Sequence, residues 1–423
     1  MNLLIKSAKI IDPNSNYHNQ ICDVRIKNGK INMIKNKIIL SKSQEIEYKA
    51  DNLHLSPGWF DLHANFGEPG YEQNETFDTG CNAAIKGGYT GVMVMPNNKP
   101  AIDNKGMIEY IIHATKNKII DIIPSGNITK NGNGDELVEM HDMEKAGCKA
   151  FTDDKKSISR NEVMKIAMLY SKDGNALIMH YPNEKSIANN GFIHEGIIST
   201  KFGLRGIPSL AEEMMVDRDL NLCDYTRSKI HLSYISTAKS VKKIKQAKAK
   251  GVNVSADVSL HNLFLTEESL SNFDTRYKVL PPLRTKKDNK ALVKALIDET
   301  IDIITSDHTP ITDEYKKIEF DNAAFGIIGL ETAFGLLGKY ILPEIGITNL
   351  IKKISINPRK ILKLKEVVIK EGEDANFTLF NPDLEWKFTA KDIKSKSINT
   401  PFIGEKLKGK ALAIFNNGRF QKC

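Results

Sequence analysis

The side chains best able to do chemistry fall at the ends of short apolar runs. In chain order these ends are Asp61-Leu62-His63-Ala64-Asn65, Met95-Pro96-Asn97-Asn98, Phe151-Thr152-Asp153-Asp154, Ile178-Met179-His180, His231-Leu232-Ser233-Tyr234 and Ile304-Thr305-Ser306-Asp307-His308. Mixed imidazole and carboxylate sets suit zinc and similar divalent ions that keep one position open for water. Such an ion lowers the pKa of its water to roughly 7 and so supplies hydroxide for attack on an amide. Each residue alone has a plainer reading. An aspartate at a strand end often caps the next helix, and His113, His141 and His261 read as hydrogen-bonded structural histidines. The series, not any single member, points to chemistry.

Convergence of those ends requires a scaffold that brings strand after strand to one place. From 57 to 366, apolar runs at 91–95, 119–123, 150–152, 176–179, 230–233, 252–256 and 301–305 alternate with helix-forming stretches such as 237–250. Repeated strand–helix units predict a parallel sheet, and about eight of them predict a closed barrel with its chemistry at the C-terminal strand ends. The two ends of the chain differ from the middle. Residues 1–56 and 367–423 carry β-type segments broken by turn signals at Asp12-Pro13-Asn14, Asn28-Gly29, Asn381-Pro382 and Asn416-Asn417-Gly418. They are expected to join as one small composite sandwich.

Composition narrows the function classes. Of 423 residues, 41% are hydrophobic and 26% charged, as in ordinary globular proteins. The net charge of +8 comes from lysines scattered along the chain, such as Lys35, Lys37, Lys242 and Lys243, which read as solvated helix faces and not as a nucleic-acid patch. Five widely spaced cysteines with no C-x-x-C pair argue against a disulfide framework or a thiolate zinc site and for a reducing compartment. The N-terminus lacks a signal-peptide pattern, and the most apolar stretch, 323–342, is interrupted by Glu331 and Lys339. A soluble, cytoplasmic protein that binds neither membrane nor nucleic acid is expected.

Longer motifs carry a resemblance. The run SPGWFDLHANFGEPGYEQNETFDTGCNAAIKGGYTGVMVMPNNKP (56–100) resembles the bacterial class I dihydroorotases. So do FTDD (151–154), GIPSLAEEMMVDRDL (206–220), ISTAKSV (235–241), VLPPLR (279–284), SDHTP (306–310), FDNAAFGIIGLETAFGLL (320–337) and SINPRKILKL (355–364). The resemblance implies a (β/α)8 TIM-type amidohydrolase barrel with a small β-sandwich built from both termini, residues 57–366 forming the barrel. It also implies zinc-dependent interconversion of N-carbamoyl-L-aspartate and L-dihydroorotate in pyrimidine (UMP) biosynthesis. By the same resemblance His63, Asp153, His180 and Asp307 are the metal ligands, Asp307 the catalytic proton carrier and Asn97 a substrate contact.

Five positions depart from the family pattern. The second histidine of D-x-H-x-H is Asn65, the arginine of F-R-E-P-G is Gly67, and the histidine of H-V-S-T is Tyr234. The asparagine of N-P-P-L-R is Leu280, and the last histidine of D-H-A-P-H is Ile311. An amide oxygen is a poorer zinc ligand than imidazole, and glycine offers no fork for a carboxylate. The expectation is a degenerate site resembling the non-catalytic dihydroorotase-like proteins. It holds one zinc or none, catalysis is impaired or absent, the chain self-associates, and aspartate transcarbamoylase is its partner. The alternatives are an active dihydroorotase, with Lys155 or Lys156 standing in for the lost arginine, or a cyclic amidohydrolase of altered substrate. Otherwise these two lysines are exposed loop residues.

Overall fold

The computed structural model describes residues 2–40 and 45–423. Its centre is a ring of parallel strands. Trp59–Ala64, Tyr89–Val94 and Asp121–Pro124 form a three-stranded arc. Ala150–Phe151, Leu177–His180, Ile230–Leu232, Val254–Ser259 and Ile303–Thr305 form a five-stranded one. Parallel bridges Gly126–Phe151 and Ala64–His308 join the arcs at both seams, so the eight strands close as a barrel. The connections carry the outer helices, among them Phe77–Gly87, Lys105–Thr115, Asn161–Lys172, Ser209–Thr226, Ala238–Ala249 and Lys286–Ile297.

The barrel strands are buried along their length, as expected when helices cover the outside and side chains fill the inside. Phe60, Leu62, Met93, Met95, Ala150, Leu177, Met179 and Ile303 come from five strands and make one cluster, which only the barrel interior permits. Leu362 completes that cluster. A larger apolar core packs the helices on the strands.

Helix starts follow local chemistry. Thr285 and Asp288 make a reciprocal capping box for Lys286–Ile297, and the Thr237 hydroxyl accepts from the Ser240 amide to begin Ala238–Ala249. Glu212, buried on Ser209–Thr226, accepts from the amides of Ser236 and Thr237 at 3.0–3.2 Å. That carboxylate fixes the turn immediately after Tyr234.

Both chain ends contribute to a single eight-stranded sheet in which Phe377–Lys387 pairs antiparallel with His54–Pro57 and with Lys406–Asn416. Leu3, Ile5, Val24, Phe377, Leu379 and Phe415 form its separate core. Among the described residues, no helix is long and apolar enough to cross a membrane.

Candidate functional site

The C-terminal strand ends place a connected polar group at the barrel mouth. Asp61, on the first strand, accepts from the Ser306 amide and hydroxyl at 2.7 Å each and ties the last strand end to the first. Burial raises its pKa to about 6 against those donors. Two residues on, His63 directs Nε2 to Asp257 Oδ2 at 2.6 Å. His231 Nε2 meets the same oxygen at 2.7 Å. Asp257 Oδ1 accepts the Tyr234 amide at 2.8 Å. Burial works against charge on His63, yet the Asp257 carboxylate outweighs it and holds the imidazole above its ordinary pKa. For Asp257 burial is likewise outweighed, by the two imidazoles, and its pKa lies below the usual range.

A second chain of contacts surrounds Tyr234. Its hydroxyl donates to Asp154 Oδ1 at 2.9 Å, and its ring lies 4.2 Å from the His63 ring, centroid to centroid. Burial and the neighbouring carboxylates push this phenol far above its ordinary pKa, so it stays protonated and donates. Asn97 Nδ2 donates to Asp154 and, at 3.2 Å, to Asn65 Oδ1. Asp307 accepts from Lys155 Nζ on both oxygens, at 2.7 and 2.9 Å, and from Ser259 Oγ at 3.2 Å. Burial raises the Asp307 pKa, and the Lys155 charge opposes the rise.

Asp154, Tyr234 and Asp307 have φ of 47°, 59° and 51°, the left-handed region that costs non-glycine residues about 1–3 kcal/mol each. Aspartate enters this region more readily than most residues, but for Tyr234 the conformation is imposed by tertiary packing.

Several expected site residues are therefore together: His63, Asn65, Asn97, Tyr234 and Asp307. Others are not. The expectation that Asp153 faces the mouth is corrected: its carboxylate accepts the amides of Ile128 and Thr129 at 2.9 and 3.1 Å and the Thr129 hydroxyl at 2.6 Å. Asp153 thus caps the preceding loop, and Asp154 takes the inward position. His180 is also turned to structural use. Its Nδ1 meets Asp219 at 2.6 Å, while Nε2 accepts the Ile158 amide at 3.0 Å. Both ring nitrogens are spent.

The substituted positions have definite surroundings. A Cβ on Gly67 would stand 2.3 Å from the Tyr71 carbonyl oxygen, because the Gly67 carbonyl accepts the Tyr71 amide in a tight turn. Leu280 packs on a small apolar cluster with Ile187, Ala188, Ile207 and Ala211. Ile311 donates its amide to Asn399 Oδ1 at 3.0 Å.

Sequence reasoning missed Asp257, read His261 as structural, and placed Asp154 and His231 at strand ends without assigning either a role. The signal for Asp257 was present: a carboxylate inside the buried strand Val254–Ser259 needs a charged or hydrogen-bonding partner. His261, read as structural, has Nε2 3.6 Å from Asp307 Oδ2. Burial and then the Lys155 charge hold its pKa down at about 3. Lys155 is no exposed loop lysine, since its side chain is 14% exposed.

His63, His231 and Asp257 are the one His/His/carboxylate cluster among the described residues whose ligand atoms all lie within 4.8 Å of one another. Its fit to a bound ion can be tested by distance. Tetrahedral zinc with bonds of about 2.0–2.1 Å spaces its donors about 3.3 Å apart and, in catalytic sites, leaves one position for water. Here the carboxylate oxygen lies 2.6 and 2.7 Å from the two nitrogens, and the three residues are no more than 1% exposed. In this arrangement the cluster is closed on itself by hydrogen bonds, with the donors closer together than a tetrahedral ion would space them.

The family described as Dihydro-orotase-like matches residues 53–240. A dihydroorotase of Pelotomaculum thermopropionicum is 38% identical over 421 residues, covering 99% of this chain and 98% of the relative. One from Thermoanaerobacter sp. is 40% identical, with 97% and 94% covered, and one from Syntrophus aciditrophicus is 37% identical, with 99% of both covered. Among solved structures, the L-hydantoinase of Arthrobacter aurescens superposes with a TM-score of 0.87 at 18% identity, covering 99% of this chain and 95% of that one. A D-hydantoinase from Thermus sp. gives 0.83 at 19%, with 100% and 96% covered. At those identities the structural likeness speaks for the barrel and its appended sheet alone.

Proposed function

The chain belongs to the dihydroorotase family, and from that premise we propose that it has given up the family's zinc-dependent ring chemistry for a structural or regulatory role in pyrimidine biosynthesis. The observation that carries this reading is the state of its two remaining family imidazoles. His63 is closed on Asp257, and both nitrogens of His180 are held by Asp219 and the Ile158 amide. The other two family positions for imidazole are an amide, Asn65, and a phenol, Tyr234. Neither replaces a neutral nitrogen lone pair as a zinc donor.

Loss of substrate contacts supports the same reading. A charge-assisted contact to one substrate carboxylate is worth about 1.5–3 kcal/mol, which Gly67 does not supply. The proton carrier's place is filled by Asp307, but its two oxygens are engaged by Lys155. We infer that the partner is aspartate transcarbamoylase, whose product, N-carbamoyl-L-aspartate, is the compound the family's reaction interconverts with L-dihydroorotate.

The test is turnover of L-dihydroorotate by the purified full-length chain, supplied with zinc, beside a relative that retains both histidines of D-x-H-x-H. No rate above the uncatalysed background is expected. Sustained turnover that depends on Asp307 would overturn the proposal. Co-purification of the two proteins, with a changed carbamoyl-transfer rate in the complex, is the expected outcome of the partner test; independent migration at micromolar concentration would remove that part.

A further inference from the structure

Carboxylates remain at the barrel mouth although two of the family's imidazole positions there are Asn65 and Tyr234, and a carboxylate buried away from water needs either a cation or several hydrogen-bond donors. We propose that Lys155 is the resident cation of this site, a side-chain ammonium that balances Asp307 and closes the mouth to a divalent ion. This deepens the non-catalytic reading, which concerns turnover, by naming what holds the site together in place of a metal.

Three contacts converge on Lys155. Its Nζ lies 2.7 and 2.9 Å from the two oxygens of Asp307, the bidentate placement of a full charge pair. The same nitrogen stands over the Tyr234 ring, 4.9 Å from its centroid, within range of a cation–π contact. Asp307 itself is 1% exposed, so its charge has little access to water and depends on what the protein supplies. The substituted residue Tyr234 therefore serves Lys155 twice. Its face receives the ammonium, and its hydroxyl, donated to Asp154, orients the ring.

The other groups facing this pair do not compete for the role. Ser259 donates to Asp307 Oδ2 at 3.2 Å and Thr309 Oγ1 lies 3.4 Å from Oδ1, both neutral. His261 Nε2 is buried 3.6 Å from Asp307 Oδ2, farther than Lys155 Nζ, and makes no hydrogen bond there. His63 is held by Asp257 at 2.6 Å. A divalent ion reaching Asp307 would have to displace an ammonium already within hydrogen-bond distance of both oxygens.

The experiment is a double-mutant cycle on the full chain, read by thermal unfolding with and without zinc chloride. Lys155→Met keeps most of the length of the side chain and removes its charge. Asp307→Asn removes the opposite charge. Each single variant is expected to lower Tm by about 3 °C or more, and the double variant to recover to within about 1–2 °C of the parent, because a lone buried charge is worse than none. Lys155→Arg, which retains the charge, should lose less than Lys155→Met. Strictly additive losses, or a Lys155→Met variant that melts with the parent, would overturn the inference.

The unaltered chain gives an independent check should a variant fail to fold. Its Tm is expected to be the same in zinc and in chelator, and a zinc-induced rise of several degrees would overturn the inference. Failure here is separable from failure of the functional reading. A zinc-dependent rise without turnover sinks the resident cation alone, whereas turnover with an intact Lys155–Asp307 coupling sinks the non-catalytic reading alone.

Discussion

Replacing Asp257 tests how the mouth is held together. One of its oxygens receives two imidazole nitrogens at 2.6 and 2.7 Å, and the other receives the Tyr234 amide at 2.8 Å. Asp257→Ala removes all three contacts and leaves His63 buried without its hydrogen-bonded carboxylate. Breaking a buried charge pair from one side costs about 3–5 kcal/mol. At about 2.1 cal/mol/K per residue, the 423 residues give an unfolding entropy near 0.9 kcal/mol/K, so Tm should fall by roughly 3–6 °C.

Asp257→Asn should lose less. The introduced amide oxygen can still accept from Tyr234, and its NH2 can donate to both imidazoles once His63 sheds its proton. The pH profile sharpens the comparison. Asp257, depressed in the fold, contributes stability above about pH 3.9 and loses it as pH falls through its folded pKa. His63, raised in the fold, contributes below about pH 6.5 and loses that as pH rises through its folded pKa. Losses in the alanine variant should therefore be greatest between about pH 4 and 6.5. Calorimetric Tm values at about pH 5.5 and about pH 8.5 measure this, the first about one pH unit below that window's upper edge and the second about two above it. Equal Tm for parent and Asp257→Ala at the lower pH would refute the reasoning.

Asp153→Ala should destabilise the chain by at least about 3 kcal/mol, because two amides and a hydroxyl of the 128–129 turn lose their acceptor. A urea-unfolding midpoint unchanged from the parent would return Asp153 to the mouth. Gly67→Ala should cost about 1–3 kcal/mol, since the new Cβ meets the Tyr71 carbonyl oxygen at 2.3 Å, and the same clash predicts that Gly67→Arg does not by itself restore carboxylate binding. Thermal unfolding checks the first, and N-carbamoyl-L-aspartate titration the second. Burial lowers the pKa of Lys278 to about 8 and of Lys316 to about 7, so between about pH 8 and 10 the unfolded chain binds more protons at both than the folded one does. Their contribution to stability therefore rises with pH across that window, by ~1.4 kcal/mol per pH unit for each group, and Lys316→Met should flatten the rise in urea midpoint.

The sequence by itself determined the scaffold and part of the mouth's membership. Apolar runs of strand length followed by helical stretches leave few solutions other than a barrel, because each sheet face and helix stripe must be covered by the next unit. Strand ends then necessarily gather, and His63, Asn97, Tyr234 and Asp307 could be placed near one another from order alone. Departures from the family pattern at Asn65, Gly67 and Tyr234 were equally legible, since they are matters of residue type.

Tertiary structure alone decided which atoms face inward and what they hold. Asp153 and Asp154 are chemically identical neighbours, and only the φ of 47° at Asp154, fixed by the packed turn around Asp153, sends one carboxylate to the mouth and the other to a backbone cap. His180 carries the ligand type that the pattern suggests, yet the Ile158 amide, brought in by a loop more than twenty positions earlier in the chain, takes its free nitrogen. Lys155 has no local signature that separates it from Lys156. Its role comes from Asp307, 152 positions away, whose burial leaves a charge that water cannot screen and a lysine must.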